Sequence, residues 1–128
     1  MKKYLIVIVI LQVVLFTHCG YEKVSDLDFI KKSWQHSYEE ENTSGTLLYR
    51  PYDYKEFPPS RFRQYFEFKD NYMCVYLVMS ETDGHYTIEG TWKYNESTNI
   101  VTITNETDVV FEFKILELKK NILKIEML

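Results

Sequence analysis

Two arginines and a tyrosine stand at alternate positions near the middle of the chain. Arg61, Arg63 and Tyr65 would share one face of a β-strand, because successive side chains of a strand point to opposite faces. Together they would recognise a carboxylate or phosphate through charge-assisted, bidentate hydrogen bonds. In the alternative orientation Phe62, Phe66 and Phe68 face the core and the arginines face water. The usual alternation of antiparallel sheets favours this alternative, whereas a head-group site requires the first orientation.

Two histidines and nearby acids are candidate zinc ligands. His36 and His85 could act with Asp83 and with Glu39 or Glu40, because zinc binds imidazole nitrogens and carboxylate oxygens. No two-histidine spacing of the H-x-H or H-E-x-x-H kind is present. Asp83-Gly84 predicts a type I′ hairpin turn, which needs positive φ at both positions and accounts for Asp83. We therefore predict no metal site.

The candidate nucleophile and candidate acid–base residues lack the sequence context of an enzyme. Cys74 alternates with Tyr72 and Tyr76 in the most apolar segment, which is typical of a buried and unreactive thiol. The run 39–41 contains three glutamates, and two carboxylates can serve a glycosidase. Beside a turn, however, such a run is typical of a solvated strand end. With no glycine-rich phosphate loop, we predict a non-enzymatic protein that uses no cofactor.

A loop rich in proline and tyrosine is a candidate partner surface. The loop covers residues 51–60, and the aromatic residues in and beside it are Tyr49, Tyr52, Tyr54 and Phe57. Pro58-Pro59 hold its last part extended. Aromatic side chains on a stiffened loop at the mouth of a barrel suit recognition of a ligand or a protein. They would serve equally well to cap one end of a core.

The elements that would position these residues are strands. Aromatic residues make up 16% of the chain, and a period of two with turn signals about every ten residues is typical of an all-β protein. A short N-terminal helix capped by Ser25 is expected first. The predicted strands are Ser33–Glu39, Thr46–Arg50, Arg61–Lys69, Tyr72–Met79, Tyr86–Tyr94, Ile100–Thr104, Val109–Leu118 and Ile122–Leu128.

Eight consecutive strands with short links predict an antiparallel up-and-down meander. Closing the sheet into a barrel would remove both of its free edges. A barrel of this size has room for packed side chains or for one small ligand. We therefore predict an all-β domain over residues 25–128, built as a closed eight-stranded barrel.

The N-terminus differs in composition from the rest of the chain. Lys2 and Lys3 precede an apolar run that is too short to span a bilayer, which predicts a signal peptide over residues 1–18. The segment from Phe16 to Gly20 resembles the lipobox of bacterial lipoproteins, although His18 stands where that family has a small residue. The resemblance implies acylation of Cys19, a tether over residues 19–24 and anchoring in the bacterial cell envelope.

The acidic net charge of the chain argues against nucleic acid and anionic membrane surfaces as partners. After removal of residues 1–18 the chain would hold 13 basic and 19 acidic groups, a net charge of −6. An acidic surface repels nucleic acid and anionic membrane surfaces, so nucleic acid is not expected as a partner. A membrane is expected only through the lipid anchor at Cys19.

Several stretches resemble small bacterial lipocalin-like (calycin) lipoproteins. These are Gly90-x-Trp92-x-Tyr94, residues 115–118 (ILEL) and Trp34, although Lys32-Ser33-Trp34 lacks the strict Gly-x-Trp of the first lipocalin strand. The resemblance implies an exported eight-stranded barrel. Fatty-acid-binding calycins hold a carboxylate with an Arg-x-Tyr pair near the C-terminus, which Arg63-Gln64-Tyr65 resembles at a different place in the chain.

The favoured function is binding of a small apolar or amphipathic ligand inside the barrel. Arg61, Arg63 and Tyr65 would fix its head group. The predicted cavity lining is Trp34, Tyr76, Tyr86 and Trp92. The alternative is a protein-binding module, such as an inhibitor, immunity or assembly lipoprotein, with a filled barrel and a partner bound at the 51–60 loop.

Overall fold

A computed structural model describes residues 26–128. The predicted signal peptide (1–18), the tether (19–24), Cys19 and Ser25 lie outside the described residues. Within them the chain forms a 3₁₀ helix at Leu27–Ile30, a second one at Tyr38–Glu40, and eight strands. The strands are β1 (Ser33–His36), β2 (Leu47–Pro51), β3 (Tyr65–Phe68), β4 (Met73–Met79), β5 (His85–Asn95), β6 (Ile100–Asn105), β7 (Asp108–Lys119) and β8 (Ile122–Met127).

The eight strands close into an antiparallel barrel, which confirms the predicted fold class. Strands β3 to β8 follow one another as a meander. The first two strands depart from meander order, because β1 lies between β2 and β3 and the barrel closes by pairing β2 with β8. At this seam Leu47 stands opposite Ile125 and Tyr49 opposite Leu123. Every strand thus has a neighbour on both sides, which satisfies the ladder of backbone hydrogen bonds.

Two predicted strands are shorter by at least three residues than the sequence pattern indicates. The first ends at His36 rather than Glu39, because the chain turns into the second 3₁₀ helix. The third begins at Tyr65 rather than Arg61, because its neighbour β1 reaches only to His36, whose N–H donates to the Gln64 carbonyl at 2.9 Å. Arg61 and Arg63 therefore belong to the loop before β3.

The N-terminal 3₁₀ helix closes the lower end of the barrel, where β7 also turns into β8. Asp26 caps this helix by accepting a hydrogen bond from the Asp28 N–H at 3.1 Å, a role the sequence assigned to Ser25. Ile30 is fully buried, and its carbonyl accepts the indole N–H of Trp34 at 2.8 Å. This hydrogen bond holds the N-terminal 3₁₀ helix against β1.

The hairpin between β4 and β5 lies at the upper end of the barrel. Asp83 has a positive φ of 64°, and Ser80 N–H donates to the Gly84 carbonyl at 2.7 Å. The sequence predicted a type I′ turn with positive φ at both Asp83 and Gly84, but Gly84 has no positive φ. The hairpin is therefore where it was expected, with a different turn.

Inward-facing side chains of all eight strands form one core. Its centre is aromatic: the Phe66 ring lies 5.1 Å from that of Phe111 and 6.0 Å from that of Phe113. Gly90 permits close approach of two strands, since a Cβ there would lie 2.4 Å from the Thr104 carbonyl oxygen. Any larger residue at this position would push β5 away from β6.

Candidate functional site

Arg63 is a buried structural residue at the upper end of the barrel. Only 7% of it is exposed, and its guanidinium donates to the Glu39 carboxylate at 2.5 and 3.0 Å. It also donates to the carbonyls of His36 at 2.7 Å and Pro58 at 2.9 Å. The hydrogen bonds from Arg63 lower the pKa of Glu39 to about 2. This guanidinium is fully engaged by the protein itself.

The predicted head-group face does not point into the barrel. Arg61 is exposed, and the Tyr65 hydroxyl donates to Ser33 Oγ at 2.9 Å on the outer wall. Phe66 and Phe68 are the inward-facing residues of β3 and are buried. The orientation that a carboxylate site required is thus wrong. The apolar-in alternation is confirmed for Phe66 and Phe68 but not for Phe62, which precedes β3 and is only partly buried.

The two tryptophans and Tyr76 are core residues of the barrel. Trp34, Tyr76 and Trp92 are each at most 1% exposed. The Trp92 indole N–H donates to the Lys69 carbonyl at 3.3 Å, and its ring packs edge-on against Phe68 at 5.4 Å. Trp34 contacts the N-terminal 3₁₀ helix through Ile30, whereas Tyr76 lies higher in the barrel, edge-on to Phe111 at 5.4 Å.

The upper end of the barrel carries apolar side chains that are only partly covered. We call these residues the upper rim: Val78, Tyr86, Ile88, Phe111 and Met127. Pairing places Val78 opposite Tyr86, Tyr76 opposite Ile88 and Phe113 opposite Met127, so the rim residues share the inward face with the core. Tyr86 is 51% exposed although it occupies an inward-facing position. Of the predicted cavity residues, it is the one at the rim.

The Tyr76 hydroxyl lies just below the upper rim. It is buried, and within residues 26–128 no group accepts its proton. Burial raises the pKa of Tyr76, and the nearby Asn105 side chain offsets part of that rise. The hydroxyl is therefore protonated at neutral pH and has a proton to donate.

The three glutamates of residues 39–41 each bind a different part of the fold. Glu40 forms a bidentate ion pair with Arg50, with both N–O distances 3.0 Å, and these hydrogen bonds lower its pKa to about 2. Glu41 binds His36 Nε2 at 2.5 Å and accepts the Leu48 N–H at 3.0 Å. These carboxylates join the second 3₁₀ helix to neighbouring segments, which sequence spacing alone does not signal.

The remaining candidate chemical groups are separated. His36 stacks on Tyr49 with ring centroids 5.0 Å apart, whereas His85 lies edge-on to Phe62 at 5.6 Å. In the part of the chain described, no three His, Cys, Asp or Glu side chains gather as metal ligands. Burial of Cys74 raises its thiol pKa to about 12, as expected for an unreactive core cysteine.

The proline- and tyrosine-rich loop lies on the outer wall, not at a barrel mouth. We call residues 52–64 the outer loop, and it crosses the outer face of β1. Tyr52 N–H donates to the Ser33 carbonyl at 3.0 Å, and a shallow surface groove runs from Gln35 to Phe57. Tyr52 is 61% exposed and Tyr54 44% exposed, whereas Phe57 is half-buried.

Comparison with known proteins identifies the family. A model of the lipocalin-like domain matches residues 30–125. No curated protein and no solved structure matches the chain significantly. Among residues 26–128 there is no helix with the length and apolar character needed to cross a bilayer. With the family model covering most of its length and with its closed eight-stranded barrel, this chain belongs to the lipocalin-like domain family.

Proposed function

We propose that the protein binds a small apolar or amphipathic molecule at the upper rim. Lipocalin-like barrels are typically binding proteins rather than enzymes, and their barrels suit small hydrophobic ligands. The observation that carries the proposal is Tyr86, an inward-facing aromatic residue that is half exposed at the end of an otherwise buried apolar face. Such a ring would gain contacts by covering a bound molecule.

The rim supports this proposal better than the lower half of the barrel does. Below the rim, aromatic rings from β3, β5 and β7 pack against one another at centroid distances of 5.4 to 6.5 Å. Above them, Val78, Ile88 and Phe111 are only partly buried and pack against the core from one side. A ligand seated on these three side chains would complete their burial without displacing the core.

A dye titration tests the rim as a binding site. Nile red, an uncharged dye that brightens in apolar surroundings, is expected to bind the purified protein with one-to-one saturation. Tyr86→Ser should weaken the affinity about fivefold or more, because it removes the ring that covers the ligand. Tyr52→Ser, which removes a tyrosine of similar exposure from the outer wall, is the matched control. Absence of saturable binding, or an equal loss in both variants, would contradict the proposal.

The outer loop supports a second candidate function, the binding of a protein partner. Tyr52 and Tyr54 are exposed, and the groove beside Gln35 and Phe57 continues from them across β1. Exposed aromatic residues beside a groove are typical of interface centres. If the protein has this function, a partner protein that the wild type retains from an envelope extract should be lost with Tyr52→Ser and kept with Tyr86→Ser. That is the reverse of the pattern expected for the dye.

We further propose export to the bacterial cell envelope and anchoring through an acylated Cys19. The apolar N-terminal run and the lipobox-like residues 16–20 support this proposal. Cells expressing the full chain and fed labelled palmitate are expected to label the protein. Cys19→Ser should abolish the label, whereas Cys74→Ala, which changes the other cysteine, should retain it. Labelling that survives Cys19→Ser would refute the anchor.

A further inference from the structure

We propose that the Tyr76 hydroxyl donates a hydrogen bond to an uncharged acceptor on the ligand, such as a ketone, ester or amide carbonyl. This inference rests on the function proposed for the upper rim and names the chemical class of its ligand. It makes Tyr76 the polar contact of a site that is otherwise apolar.

The Tyr76 hydroxyl is a buried hydrogen-bond donor that lacks an acceptor among the described residues. The residue is 1% exposed, and within the described residues no group accepts its proton. Buried polar groups nearly always have a hydrogen-bond partner, since leaving one unpaired costs more than the bond itself is worth. A ligand carrying an acceptor would satisfy this group, whereas a purely apolar ligand would leave it unpaired.

The surroundings of Tyr76 fix where this hydroxyl lies. Its ring packs edge-on against the rim residue Phe111 at 5.4 Å, and the ring edge passes 3.4 Å from the position of a Cβ on Gly90. The hydroxyl is close enough to Asn105, to the core residue Cys74 and to Tyr86 for all three to influence its pKa. The polar atom therefore lies between the packed core and Tyr86, at the depth that the leading end of a ligand would reach.

The charges around the barrel interior select against an anionic head group. None of the inward-facing strand residues between Ser33 and Met127 is a lysine or an arginine. Asp108 stands opposite Asn105 at the rim, and Glu41 holds His36 at the same end. A carboxylate buried here would lose its hydration without gaining a cation and would meet these acids. An uncharged carbonyl avoids this cost.

Competition against bound Nile red tests the inference with three eight-carbon probes. These are 2-octanone, octanoate and octylammonium, which carry a neutral acceptor, an anion and a cation. We expect 2-octanone to compete best against the wild-type protein. Tyr76→Phe should weaken 2-octanone about three- to tenfold, the loss of one hydrogen bond, and should leave octanoate unchanged. Inhibition constants are compared after correction for the dye affinity of each variant.

Tyr94→Phe is the matched control, because the Tyr94 hydroxyl already donates to Asn99 Oδ1 at 2.8 Å. Without ligand, Tyr76→Phe should melt at or above the wild-type temperature, whereas Tyr94→Phe should melt below it. Equal competition by 2-octanone in wild type and Tyr76→Phe would overturn the inference, as would a clear loss of melting temperature in Tyr76→Phe. In either case Tyr86-dependent dye binding would still stand, so failure of the ligand class is distinguishable from failure of the site.

Discussion

Replacing Phe66 with alanine is expected to lower the free energy of unfolding by about 3–5 kcal/mol, the range for deleting a buried phenylalanine ring. The Phe66 ring lies at the centre of the barrel, 5.6 Å from Tyr49, 5.9 Å from Phe68 and 5.1 Å from Phe111. These rigid neighbours come from three different strands and cannot all move to fill the gap. Urea denaturation followed by tryptophan fluorescence measures the loss.

Phe62→Ala provides the comparison for this variant. Phe62 precedes β3 in the outer loop, is only partly buried and has its closest aromatic contact with His85. We expect its removal to cost about 1 kcal/mol or less, because much of the ring is hydrated already. Equal losses in the two variants would contradict a barrel whose centre is filled by Phe66.

Replacing Arg63 with methionine is expected to destabilise the fold by about 2–4 kcal/mol, because it breaks a buried ion pair that is partly open to water on its Glu39 side. The change keeps the apolar stem but removes donors to Glu39 and to the carbonyls of His36 and Pro58. These bonds hold the outer loop to the second 3₁₀ helix. Arg61→Met, at an exposed position in the same loop, should change stability by no more than about 0.5 kcal/mol.

The effect of Arg63→Met should depend on pH in a defined direction. Arg63 lowers the pKa of Glu39 from 4.5 to about 2, so the folded state binds the Glu39 proton less tightly than the unfolded state does. The pair therefore stabilises the protein fully above about pH 5, and the stabilisation is lost as the pH falls from about 4.5 towards 2. The difference in unfolding free energy between wild type and variant should shrink over this window. A difference that stays constant down to pH 2 would show that Glu39 contributes nothing.

Local sequence patterns were sufficient to predict most of the barrel. Alternation in residues 61–69 and 86–94 predicted two strands, which the structure has at residues 65–68 and 85–95, and the default inward orientation of Phe66 and Phe68 was confirmed. Turn residues located the hairpins, because Asp, Asn and Gly adopt turn conformations at little cost. These features depend on neighbours in the chain and can therefore be read from it. The turn type at Asp83-Gly84 was wrong because strand twist and loop length also determine it.

The roles of the charged residues could not be predicted in the same way. Arg63 meets Glu39, and Arg50 meets Glu40, only because the outer loop crosses β1 and the chain turns after His36. Pairs brought together by tertiary structure leave no fixed spacing in the sequence. The same holds for Tyr76: its place on β4 predicted a buried ring, but not that its hydroxyl lacks a partner. Such a property depends on every neighbour at once.

The seam between β2 and β8 has a consequence for how the chain folds. Leu47 and Ile125 are adjacent in the barrel but nearly at opposite ends of the described sequence. Bringing them together costs chain entropy that local contacts do not repay, so closure should be the slow kinetic step. Until the last strand arrives, β2 and β7 each present an unpaired edge, and pairing of such edges between molecules leads to aggregation. A chaperone that shields these two edges before closure would therefore raise the yield of native protein.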